Sequence, residues 1–309
     1  MFKIILFIEY KMNRSEILKA VLNNKTDISD NTARVYVATL ASLAKHFDWT
    51  DVKNFTNKSK EILQYLDTLT PTRRKAMLSA LIAIVSHKKV VETYKKKMLD
   101  VSAECREEDE KQDKSEKQEE NWETWDNVMK LYHELEEEAL PLFKKDKLHS
   151  ANMKTLQHYV ILSCYVLIPP RRIADYINFK IKDISTKTDN WFDEKTNELV
   201  FNNYKTAKNY GTQRVECPKS LQAVFQKWFP IASRYSEFML FNSYGNHLTQ
   251  PQLTKMLNSI FDKNISASML RHIYISDVTL KNMPKLNDLE KVAHDMGHSV
   301  QEQMMYKKF

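Results

Sequence analysis

The scarcity of glycine constrains this chain more than any other feature: there are 3 in 309 residues, at Gly211, Gly245 and Gly297. Turn-rich all-β folds use glycine wherever the backbone must take a positive φ, so a chain this poor in it reads as mainly helical. The three also lie too far apart to assemble a Gly-rich phosphate loop, which excludes Rossmann-type and P-loop nucleotide enzymes. A hydrophobic content of 42% suffices for true cores and excludes wholesale disorder. The length suggests about two domains.

Cys105, Cys164 and Cys217 are widely spaced, with no Cys-x-x-Cys pair. Neither a zinc ribbon nor a disulfide framework is expected, and a reducing, intracellular compartment fits. Residues 2–8 are apolar, but Glu9 interrupts the run before it could span a bilayer, and no small-residue cleavage site follows. The run reads as a short strand or helix, or as sequence upstream of a start at Met12. No membrane span is expected elsewhere.

Charge is unevenly distributed. The formal net charge is +7, yet residues 104–120 hold nine acidic and four basic side chains, so this stretch is locally negative and the remainder more strongly positive. With almost no apolar side chains it reads as a solvated linker or a mobile helix. The expected organisation is therefore a helical part at 1–103, a charged linker at 104–121 and a second domain at 122–309. Two basic bodies flanking an acidic hinge suit a polyanionic partner.

In the first part, Ser29 or Asp30 caps a helix with Tyr36, Leu40, Leu43 and Phe47 at helical spacing. Thr70-Pro71 starts another, with Met77, Leu78, Leu81, Ile82 and Val85 on its inner face. Its outer side carries Arg73, Arg74 and Lys75, followed by Lys88 and Lys89, a cationic surface. In the second part, residues 122–143 and 152–168 read as helices. Strand-like runs follow at 178–181, 199–201 and 214–217, with residues 205–211 as a hairpin tip. Helices then dominate to the end.

The chemistry-bearing residues come in a fixed order. Pro169-Pro170-Arg171-Arg172-Ile173-Ala174-Asp175 is followed by the hairpin Tyr204-Lys205-Thr206-Ala207-Lys208. Then come Ser268-Met269-Leu270-Arg271-His272, Met296-Gly297-His298-Ser299 and finally Tyr306. In this order the chain resembles the tyrosine recombinases, the phage-type integrases and their viral and mobile-element relatives, over residues 120–309. The helical first part is similar to that family's core-binding domain.

The resemblance implies a fold that is mainly α: a helical DNA-clamping domain, then a mixed α/β catalytic domain, mainly α with a small antiparallel sheet. It implies DNA cleavage and rejoining through a 3′-phosphotyrosyl intermediate. Tyr306 would be the nucleophile, Arg172 and Arg271 would clamp the phosphate, His298 would donate to it, and Lys205 would protonate the leaving 5′ oxygen. Lys208 is the alternative to Lys205 and Arg171 the alternative to Arg172, which is preferred because Arg-Ile-x-acid is the family pattern with Asp175 as the acid. His272 is read as supporting. Neither metal nor cofactor is implied. Double-stranded DNA is the partner, with a tetrameric synapse, inside the cell at its DNA. The site departs from the pattern at Ser268, where the family commonly has histidine, and in a His298-to-Tyr306 spacing one residue short.

These residue types suit the reaction. Breaking a phosphodiester without a metal takes a nucleophile, fixed charge around the phosphate and a proton for the leaving oxygen. Guanidinium presents a planar fork of donors matched to phosphate oxygens. The competing pair His294 and His298 falls four apart, as zinc ligands would, but Asp295 stands where the protease pattern needs Glu, and Gly297 weakens the helix. The other function classes are a type IB topoisomerase, which uses a similar residue set, and a DNA-binding derivative without catalysis.

Overall fold

The computed structural model describes residues 12–306, so the apolar run at 2–8 lies outside the described residues. The chain forms two compact units, Met1–Asp113 with Pro284–Phe309, and Lys114–Met283. This division differs from a single span at 122–309, because the last stretch of chain groups with the first unit. Lys285 Nζ donates to Asp113 Oδ1 at 2.7 Å, and the Leu286 N–H donates to Gln112 Oε1 at 2.7 Å.

The first unit begins with α1 (Arg14–Asn24), α2 (Asp30–His46), α3 (Asn54–Asn57), α4 (Ser59–Leu66), α5 (Pro71–Ile84) and α6 (Lys88–Glu110). Ser29 is the cap of α2, its side chain accepting from the Thr32 N–H. Thr70 precedes α5 with extended backbone and Pro71 takes the first helical position, where its missing N–H costs nothing. Ile17 and Val21 of α1, Leu40 and Leu43 of α2, Leu78 and Leu81 of α5 and Tyr94 of α6 form the core. Each such burial is worth about 1.5–3 kcal/mol. The Tyr94 hydroxyl donates to the Phe55 carbonyl at 2.9 Å, so the phenol enters the core without an orphaned polar atom.

The acidic stretch is helical for much of its length. Helix α6 continues to Glu110 because Val101 is buried and Arg74 pairs with Glu104 at 2.6 Å. The charges along α6 run from lysines at its start to carboxylates at its end, opposite to what the helix macrodipole favours. Helix electrostatics therefore do not account for the pattern.

The second unit holds α7 (Glu116–Asn121), α8 (Trp125–Leu142), α9 (Ser150–Val166), α10 (Ile173–Ile177), β1 (Phe179–Lys180), β2 (Asn190–Asp193) and β3 (Glu198–Phe201). Then come α11 (Ala207–Tyr210), β4 (Gln213–Glu216), α12 (Lys219–Ala232), α13 (Gln250–Phe261) and α14 (Ala267–Tyr274), which runs on into a π-helical turn, Ile275–Thr279. Every residue of α9 from Leu156 to Tyr165 is buried, as expected of a helix at the centre of its domain.

The fold is mainly α with one small sheet, strand order β1-β2-β3-β4. The expected antiparallel sheet is corrected to a mixed one: β1 pairs parallel to β2, while β2–β3 and β3–β4 are antiparallel. Residues 181–189 carry the chain back to the start of the sheet, so β2 runs in the direction of β1. Strand β2 was hidden in the sequence because it opens on a buried asparagine. Asn190 Nδ2 donates to the carbonyls of Asp175 and Asn203, and its Oδ1 accepts from the N–H groups of Asn202 and Asn203. Full satisfaction lets a polar side chain occupy an inward position. The chain then returns to the first unit as α15 (Leu286–Asp295) and α16 (Val300–Tyr306). Among the described residues no helix is long and apolar enough to cross a membrane.

Candidate active site

Pro169 and Pro170 separate α9 from α10, and Arg172 stands at the cap of α10 with extended backbone. The neighbouring arginines have different surroundings. Arg171 donates from Nε to Asp175 Oδ2 and from Nη2 to Gln213 Oε1, both at 2.9 Å, and its guanidinium lies 3.8 Å from the Phe201 ring centroid. The Arg172 carbonyl accepts from the Asp175 N–H at 3.0 Å, while its half-buried side chain has no hydrogen-bond partner among the described residues.

Asp175 is the electrostatic centre of this cluster. It is 1% exposed, and its Oδ1 has no partner. Burial pushes its carboxyl above the usual range against the opposing pull of Arg171, Arg172 and Arg271. Arg271 comes from α14, far along the chain, where Leu270 and Ile273 are buried and fix the helix's inward face. The Tyr165 hydroxyl, on the last turn of α9, is also buried without a partner and senses both Asp175 and Arg271. Its ring meets Tyr176 edge-on at 5.5 Å.

Lys205 and Lys208 lie between β3 and β4. The expected hairpin tip contains the short helix α11, closed by Gly211 at φ 64°, ψ −157°, a conformation open essentially to glycine. The Tyr204 hydroxyl donates to the Gly211 carbonyl at 2.8 Å, and the Tyr204 ring is 5.8 Å from the Arg171 guanidinium. This buried tyrosine anchors the hairpin base beside Arg171. Lys205 follows it directly; both Lys205 and Lys208 are exposed.

Ser268 and His272, one helical turn apart on α14, are exposed and line a cleft of about 280 Å³ with Thr254, Asn258 and Lys117. Arg271 is not part of that lining.

In the first unit, α15 ends at Asp295. Gly297, at φ 78°, reverses the chain, its N–H donating to the His294 carbonyl and the His298 N–H to that of Ala293, both at 3.0 Å. His294 and His298 therefore do not share one continuous helix. Among the described residues no group of His, Cys, Asp and Glu is arranged to hold a metal ion. His298 Nδ1 is 3.2 Å from the Ser299 carbonyl, which places the proton on Nδ1. Its Nε2 is enclosed without a partner. The His298 and Tyr306 ring centroids are 5.6 Å apart, and Tyr306 is 63% exposed. Arg172, Lys205 and Arg271 belong to one unit, His298 and Tyr306 to the other.

On the first unit, Arg73, Lys75, Lys88 and Lys89 are exposed. Arg74 differs: its guanidinium is bonded to Glu104 and its side chain is 15% exposed. The sequence reading missed the anchoring role of Arg171, although its i, i+4 spacing to Asp175 is a signal for such a pair. It also missed Tyr165, which nothing in the apolar run of α9 distinguishes.

No family model matches the chain, and no curated protein does. Among solved structures it is similar to the crystal structure of the XerA recombinase, with 11% identity, 95% of this chain and 94% of that chain covered, and a TM-score of 0.37.

Proposed function

We propose that this protein cleaves and rejoins DNA strands through a 3′-phosphotyrosyl intermediate, as a site-specific recombinase or integrase. The observation that supports this reading is the buried Asp175 carboxylate, ion-paired to Arg171 and within electrostatic reach of Arg172 and of Arg271 from a distant stretch of chain, neither of which it binds. Guanidinium groups turned toward one scissile phosphate would stabilise the charge that develops on its non-bridging oxygens.

In this scheme the Tyr306 oxygen attacks the phosphorus and the bond to the 5′ oxygen breaks. The protein is left joined to the 3′ phosphate, and a 5′ hydroxyl departs with a proton from Lys205. Arg172 and Arg271 donate to the non-bridging oxygens. His298 donates a further hydrogen bond to them, and the proton of the exposed phenol passes to solvent. Ser268 carries a hydroxyl, which donates a hydrogen bond but does not titrate. The exposed Arg73, Lys75, Lys88 and Lys89 neutralise backbone phosphates of the duplex, which explains why lysines sit against the macrodipole at the start of α6. Recombination between two sites takes a synaptic assembly of several copies, a tetramer in the simplest scheme.

The test uses nicked duplex DNA taken from the sequences that flank the gene, so that the cut end diffuses away and traps the intermediate. Wild type is expected to form a covalent protein–DNA adduct and Tyr306→Phe none. Absence of an adduct with wild type on every such duplex would leave a DNA-binding protein without catalysis. Relaxation of plasmids lacking those sequences would instead identify a topoisomerase.

A further inference from the structure

The second unit has a larger cavity that the scheme above leaves unused. It measures about 670 Å³, within the range of small-ligand sites, and lies beside the first half of α9. Lys154 and Arg172 are separated by most of α9, a rise of roughly 18 Å from Lys154 to its last turn, so this cavity is distinct from the arginine cluster.

Its wall is a preformed turn. Phe241 and His247 form an antiparallel bridge, and Asn242 Oδ1 accepts from the N–H groups of Tyr244 and Asn246 at 2.9 and 3.2 Å. Ser236 Oγ donates to the Gly245 carbonyl at 2.7 Å. Gly245 sits at φ 78°, and a Cβ there would be 2.6 Å from the Tyr235 carbonyl oxygen. A backbone held at this many points presents Tyr244 87% exposed, with Tyr235 53% exposed nearby. Tyr235 stacks on the core residue Phe241, with ring centroids 6.3 Å apart, while the Tyr244 ring is surface the fold does not use.

The floor is Gln157, only 6% exposed. Its Oε1 accepts from the Phe241 N–H at 2.8 Å, which fixes the amide orientation. Its Nε2 has no hydrogen-bond partner among the described residues and is reached by solvent, and Gln157 is part of the lining. A solvent-reached donor in a cavity wall with no protein partner is available to an acceptor on a bound molecule. Around it stand the cations Lys154 and Arg234, and the lining contains no Asp or Glu. Among the described residues the only side-chain partner of Lys154 is the neutral Ser259 hydroxyl, at 3.2 Å.

We propose that this cavity binds one unpaired nucleotide, its base stacked on Tyr244 and Tyr235, its phosphate between Arg234 and Lys154, and an acceptor atom on Gln157 Nε2. A bare anion would leave the tyrosines unused, and a neutral aromatic would leave the cations unused. The Gly-rich cradles that the sequence excludes are one means of holding a nucleotide; stacking on tyrosine beside fixed cations is another. Two sources supply this chemistry: a base in a single strand or a free mononucleotide.

The probes are 2-aminopurine deoxyribonucleoside monophosphate and a ten-residue thymidine oligonucleotide carrying one 2-aminopurine, whose fluorescence is quenched on stacking, added to the full chain. Saturable quenching is expected with at least one, and the probe that saturates at lower concentration identifies the source. Tyr244→Ala should weaken binding about tenfold and Arg234→Gln several-fold with a shallower salt dependence. Both positions are exposed, so thermal melting should be unchanged. Tyr306→Phe should bind as wild type does, which separates this site from the cleavage reaction. Three outcomes overturn the proposal: no saturable quenching with either probe, quenching indifferent to both substitutions, or displacement by inorganic phosphate as effective as by deoxyadenosine monophosphate.

Discussion

Arg171 Nε donates to Asp175 Oδ2 at 2.9 Å while its guanidinium rests 3.8 Å from the centre of the Phe201 ring. One arginine thereby becomes part of the scaffold and its sequence neighbour, Arg172, stays available. The assignment follows from backbone direction: Arg171 precedes the cap of α10 and reaches forward to Asp175, one turn along.

Arg171→Met should cost about 3–5 kcal/mol, because it leaves the Asp175 carboxylate buried without its nearest counter-charge. Arg172→Ala should change stability by under about 1 kcal/mol yet abolish adduct formation. Urea titration of both variants beside the nicked-duplex assay separates the roles. Equal loss of stability in the two would contradict the division.

Tyr306→Phe removes one oxygen from a ring that is 63% exposed. The melting temperature should stay at the wild-type value while the covalent adduct disappears, as read on a denaturing gel. A persistent adduct would assign the nucleophile to another residue.

His158 sets an acid limit on the second unit. Burial, with a smaller contribution from Lys154, pushes its pKa down from 6.5 to about 4. Between those values the unfolded chain binds the proton and the folded chain does not. Stability is therefore full above the unfolded pKa and falls as the pH drops toward the folded one, by about 3 kcal/mol in total. Melting followed from pH 7 to pH 4 should show this loss, and His158→Leu should flatten it. An unchanged slope in the variant would assign the acid sensitivity to other groups.

Gly211 and Gly245 both take positive φ, but only Gly245 is also sterically confined. Gly211→Ala should cost about 1–3 kcal/mol from backbone strain alone. Gly245→Ala should cost more, since the added carbon would meet the Tyr235 carbonyl. Chemical denaturation of the two variants checks the order.

Replacing Lys88 and Lys89 together by alanine should weaken duplex binding to a similar extent for all sequences. It should also reduce the slope of log affinity against log salt by about 2. Arg74→Ala should instead lower stability, because its partner Glu104 lies within the same helical unit. Fluorescence anisotropy across a salt series and melting curves measure the two effects.

Much of the helical layout was legible in the residues. Ser29 and Thr70 marked true helix starts because capping and proline geometry act over a few residues. Strand β2 was not legible, since Asn190 stands inward only through hydrogen bonds to Asp175, Asn202 and Asn203, partners outside its own strand. The sequence offered the candidate site residues as an ordered series of residue types. The different surroundings of Arg171 and Arg172, and the burial of Tyr165 beside Asp175, were not.

By itself the sequence determined that this is a glycine-poor, basic, mainly helical chain whose arginines, hairpin lysines, histidine and tyrosine recur in a meaningful order. These are properties of local backbone preference and of composition. Only the tertiary structure decided which arginine is tied down, that α6 continues through the acidic stretch, and that a donor of Gln157 faces a cavity between exposed tyrosines. Those outcomes depend on burial and hydrogen-bond pairing between segments far apart in the chain, which no local pattern encodes.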